Sequence, residues 1–91
     1  MQDYVIDVEL FNRFLYDMLA EVPHSDTDYD PRILADRISA RLSPTRSGFV
    51  KLNKADADRR VELSFQEVED LDVRERVAHT VMNLLATCAD Q

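Results

Sequence analysis

His24, Asp26, Asp28 and Asp30 stand at alternate positions of one polar stretch. Alternate side chains of an extended chain point to one side, so this His-x-Asp-x-Asp-x-Asp run could aim four ligands at a cation. Asp26-Thr27-Asp28-Tyr29-Asp30 also copies the first half of a calcium loop. That loop needs glycine at its sixth position and a bidentate glutamate at its twelfth. Here those positions hold Pro31 and Arg37. An arginine there repels the ion, and the acids read better as turn and cap residues, so no metal site is expected.

The material for catalysis is thin. Cys88 is the single cysteine, which excludes an intramolecular disulfide. It falls on the expected buried face of the last helix, with His79 on the opposite side, so no Cys–His pair forms within that helix. His24 is alone in a loop, and no pair of carboxylates stands out for acid–base work. Gly48 is the only glycine, so neither a phosphate loop nor a dinucleotide fingerprint can be built. The expectation is a protein that is not an enzyme and uses no cofactor.

The elements that position these residues follow from spacing. At about 100° per residue, Val8, Phe11, Leu15, Met18, Leu19 and Val22 share one face of a helix from Asp7 to Val22, with Asp7 as N-cap. Phe14 and Tyr16 widen that face on either side, and Leu10 lies further round. Tyr4-Val5-Ile6 fits either an extension of this helix or a short edge strand. A polar connection leads to Asp30-Pro31, an N-cap followed by proline at the first helical position. The second helix runs from Pro31 to Ser43, buries Leu34, Ala35, Ile38 and Leu42, and stops at Pro44.

After a turn ending at Gly48, two strands are predicted over Phe49–Asn53 and Arg60–Val68. The second alternates Val61, Leu63 and Phe65 with Glu62, Ser64 and Gln66, and residues 54–59 make a long hairpin loop. A last helix begins near Asp72, with Asp72 and Glu75 spaced as a capping box. It buries Val77, Ala78, Val81, Leu84, Leu85 and Cys88. The expected fold class is α+β, in the order α-α-β-β-α, with helices packed on a small antiparallel hairpin sheet in a single domain spanning residues 1–91.

Length and composition bound the function. Ninety-one residues suit one domain with a small core, and 45% hydrophobic residues suit a globular chain despite 32% charged ones. No basic leader and no run of about 20 apolar residues is present, so a cytoplasmic protein without membrane attachment is expected. The net charge of −7 is unevenly spread. Residues 1–31 carry −7, residues 32–60 carry +5 and residues 61–91 carry −5. A basic middle therefore lies inside an acidic protein.

Gly48-Phe49-Val50-Lys51 followed by Asp58-Arg59-Arg60-Val61 resembles the wing of winged-helix regulators of the MarR type. The resemblance covers residues 48–61 and implies that Arg59 or Arg60 contacts phosphate or the minor groove. It departs from that family in that only the helix ending near Ser43 stands between Pro31 and the hairpin, with no separate recognition helix.

The reading that follows is a small acidic interaction domain acting as a regulator, inhibitor or assembly factor, with a homodimer expected. The apolar arc of the first helix is wider than so short a chain should need, which makes Phe11, Phe14, Tyr16 and Met18 the expected interface. The alternative is a nucleic-acid-binding regulator using Arg37, Arg41, Arg46, Lys54, Arg59 and Arg60. A further alternative is an inhibitor whose acidic helices imitate the phosphate backbone of DNA.

Overall fold

Asp7 both closes a strand and opens a helix. In the computed structural model, which describes residues 3–89, Asp3–Asp7 forms β1 and Val8–Glu21 forms α1 with no loop between them. Tyr4, Val5 and Ile6 suit a strand because aromatic and β-branched side chains fit a pleated surface. Tyr4 and Ile6 point into the core and Val5 points out. Asp7 has extended backbone and accepts the Leu10 amide at 3.2 Å, capping α1. The strand alternative for residues 4–6 is the one the fold adopts.

Val8, Phe11, Leu15 and Leu19 of α1 are wholly buried. α2, Pro31–Leu42, starts at Asp30, whose carboxylate accepts from the amides of Arg32 and Ile33. It turns Leu34, Ala35, Ile38, Ser39 and Leu42 inward. α1 packs against α2 on one side and against α4 on the other. The chain then reverses through residues 43–48, where Arg46 and Gly48 take positive φ values of 59° and 77°. The Val8 amide donates to the Gly48 carbonyl at 2.9 Å, which ties this turn to the start of α1.

β2, Phe49–Asn53, pairs antiparallel with β1, from Asp3 opposite Asn53 to Asp7 opposite Phe49. The order is β-α-α-β-α-α, an α+β fold with a two-stranded antiparallel sheet. Two strands alone are only marginally stable. Helices therefore cover the inner face, where Tyr4, Ile6, Val50 and Leu52 join the core.

The strand expected over Arg60–Val68, and with it the hairpin, does not form. Lys54–Glu62 is a helix, α3, running into a 3-10 segment at Leu63–Glu67. The buried positions here are Ala57, Val61, Ser64, Phe65 and Val68, which recur at helical spacing. Leu63, the middle residue of the supposed alternation, is 51% exposed. Asn53 starts α3 by accepting the Asp56 amide at 2.8 Å, while its own side chain amide donates to the Asp56 carboxylate. Lys54 with Asp58, and Asp56 with Arg59, then pair along the helix. The sheet takes its second strand from the N-terminal segment instead.

α4, Leu71–Ala89, starts two residues earlier than the expected capping box. Its cap is Asp70, whose carboxylate accepts from the amides of Asp72 and Val73, leaving Asp72 within the first turn. Val73, Val77, Val81, Leu84 and Leu85 face the core. No helix among the described residues is long and apolar enough to cross a membrane.

Candidate interaction surface

The four residues expected at an interface divide. Phe11 is 0% exposed and belongs to the core, so it offers no surface. It sits at the centre of the α1 inner face, where no partner could reach it. Phe14 is 44% exposed and Met18 37%. Leu10 stands one turn before Phe14, and the three form a line at intervals of four residues on one side of the helix. Tyr16 is also exposed but lies elsewhere, with the Arg32 guanidinium 4.9 Å from the centre of its ring. That contact, and the Asn12 hydrogen bonds to α2, mark the α2 side of α1.

The Leu10, Phe14 and Met18 line runs along the other side, toward α4. Met18, Glu21, Val22 and Thr80 line a hollow between the two helices. A larger hollow of about 520 Å³ adjoins it, sharing Val22 and Thr80 and extending to Pro23, Asp72 and Glu75. The apolar row thus ends in hollows bordered by Glu21 of α1 and by Asp72, Glu75, Arg76 and His79 of α4.

The basic candidates are placed by α2, the following turn and α3. Arg37 pairs with Glu67, and Arg46 pairs with Asp36 at 3.2 Å. Lys54 and Arg59 pair with Asp58 and Asp56 of their own helix. Arg41 donates through Nε to the buried Ser64 hydroxyl at 2.8 Å, and Arg60 reaches the Arg41 carbonyl at 3.5 Å. Arg41 and Arg60 are therefore neighbours without a carboxylate partner among the described ion pairs. The wing resemblance fails in the structure: residues 54–62 are helical, so Arg59 and Arg60 occupy the last turn of α3, not the flank of a hairpin tip.

The acidic loop is used internally. Asp28 accepts the Ser25 amide at 2.8 Å, and Asp30 caps α2. His24 donates from Nδ1 to the Val22 carbonyl and stacks on Tyr29, ring centres 4.3 Å apart. Tyr29 is buried and donates its hydroxyl to the Leu19 carbonyl at 2.6 Å, satisfying one of the last free acceptors of α1. Burial, helped by the Asp28 charge, pushes the Tyr29 phenol up to about 12. Among the described residues no three His, Cys, Asp or Glu side chains are grouped to hold a metal.

Cys88 is half-buried against the core, and burial together with the Asp7 carboxylate pushes its thiol up. A nucleophilic cysteine needs the opposite shift. His79 is exposed, with Asn83 at 3.0 Å from Nε2.

Sequence reasoning missed Leu10, because its place between the buried and polar sides of α1 gains meaning only once α4 is beside it. It also missed Thr80 and the acids of the α4 wall, whose spacing alone resembles any solvated helix face. No protein-family model matches the chain, and no curated protein or solved structure matches it.

Proposed function

We propose that this chain is a non-enzymatic interaction domain, a small regulator, inhibitor or assembly factor, that engages a partner protein through the outer side of α1. One observation carries the reading. Leu10, Phe14 and Met18 are exposed in a row on a helix whose inner face already supplies four fully buried residues to the core. Single exposed apolar residues are ordinary. A row at helical spacing is the pattern by which amphipathic helices are recognised, and aromatic and methionine side chains are enriched at interface centres. Phe14→Ser combined with Met18→Ser tests the reading. The double variant should keep the parent's circular dichroism and lose the host proteins that the immobilised parent chain retains. Equal retention by both overturns it.

In this proposal the occupant is a different protein, not a second copy. α1 carries Glu9, Asp17 and Glu21 against the single base Arg13, so two α1 faces would repel. A second copy would also bring acidic segments of like sign together in a chain of net charge −7.

A second reading, a nucleic-acid-binding regulator, rests on the adjacency of Arg41 and Arg60. Four other candidates, Arg37, Arg46, Lys54 and Arg59, already face carboxylates. Two free arginines predict weak duplex binding, with log affinity falling against log salt at a slope of about −2. Arg41→Glu with Arg60→Glu should abolish it. Absence of binding at low salt overturns this reading.

A further inference from the structure

We infer that the groove between α1 and α4 accepts a basic amphipathic helix, an inference that rests on the protein-interaction reading above and specifies its partner. The groove is apolar at Met18 and Val22, and the exposed Leu10 and Phe14 continue that row along α1. From Leu10 to Val22 the row together with the groove runs about 18 Å along α1 at ~1.5 Å per residue, the length of a three-turn helix.

Its borders set the partner's charge. Glu21 of α1 lies beside the row, and Asp72 and Glu75 of α4 border its Val22 end, with Arg76 and His79 next to them. α1 and α4 come from the two acidic thirds of the chain, residues 1–31 at −7 and 61–91 at −5. The basic middle is elsewhere, on α2 and α3, and much of it is paired internally. Acidic rims steer a cationic partner in and turn an anionic one away. A helix with one apolar stripe and flanking lysines or arginines meets both features. Duplex DNA meets neither, and a second copy of this acidic chain offers an apolar row flanked by acids, not bases.

The experiment is fluorescence anisotropy on the full chain at low salt. The probes are three labelled helical peptides of about 16 residues, enough to exceed the three turns required. All carry leucines at i, i+3, i+4 and i+7, with the remaining positions lysine, glutamate or glutamine. The lysine peptide should bind saturably, and the glutamate peptide should not. Glu21→Lys should weaken binding about tenfold. Glu62→Lys, the same change of net charge on α3, should leave it within about twofold.

No binding of the lysine peptide, or equal loss with Glu21→Lys and Glu62→Lys, overturns the inference. Equal binding of the glutamine peptide, lost with Phe14→Ser and Met18→Ser, overturns the basic-helix assignment but leaves the α1 interaction reading standing. Lysine-peptide binding that the same double variant does not change overturns both.

Discussion

Asn12 is the residue that fastens α1 to α2. Its amide nitrogen donates to the Ser39 hydroxyl at 2.9 Å, the Asp36 carboxylate at 3.2 Å and the Ala35 carbonyl at 3.3 Å. Two N–H groups are thus shared among three acceptors, and Ser39 is fully buried. Asn12→Ala strands that hydroxyl and should cost about 1–3 kcal/mol in urea unfolding. Tyr29 offers a test with a sign. Its phenol is held up to about 12 in the fold, against about 10 in an unfolded chain. The unfolded state therefore loses its proton first, and the stabilising contribution is whole below about pH 10 and lost as pH rises toward 12. Urea midpoints measured from pH 9 to 12 should fall across that window, and Tyr29→Phe should remove this part of the fall.

At the scale of elements, α3 is where local preference and apparent alternation compete. Val61, Leu63 and Phe65 alternate as a strand would, yet Ala57, Val61, Ser64, Phe65 and Val68 recur as a helix does. The helix wins because Asn53 and Asp56 cap its start, and residues 54–59 lack the turn chemistry of a tight hairpin. Asn53→Ala should cost about 1 kcal/mol and lower helical circular dichroism near the transition. A loss under about 0.3 kcal/mol would show that packing alone holds α3. The turn before β2 depends similarly on Gly48, whose φ of 77° is unfavourable for a residue with a Cβ. A Cβ there would meet nothing within 4 Å, so Gly48→Ala should cost only the backbone strain, about 1–2 kcal/mol.

At the scale of the whole molecule, charge is sorted by position. Five of the eight bases in residues 32–60, namely Arg37, Arg46, Lys51, Lys54 and Arg59, lie within 4 Å of a carboxylate. These pairs are mostly exposed, so each contributes little to stability, but together they leave the acidic α1 and α4 to dominate what a partner meets. The proposal predicts a monomer by sedimentation equilibrium at concentrations up to about 100 µM, since two acidic α1 faces would repel. A dimer dissociated by Phe14→Ser and Met18→Ser would move the same surface to self-association and restore the homodimer expected from sequence.

Elements whose signals are local were legible in the sequence. Asp7, Asp30-Pro31 and Pro44 set helix ends through their own side chains, and the inner faces of α1, α2 and α4 follow from apolar spacing. The α+β class and the strand Phe49–Asn53 were legible for the same reason. Which strand pairs with Phe49–Asn53 was not, because β1 lies more than 40 residues away and strand pairing leaves no short-range mark. Nor was the division among Phe11, Phe14, Tyr16 and Met18. Spacing places all four on or beside one wide arc, but only the neighbours decide which part of that arc is covered. α2 takes the side of Tyr16, the core takes Phe11, and the edge along α4 leaves Leu10, Phe14 and Met18 to water.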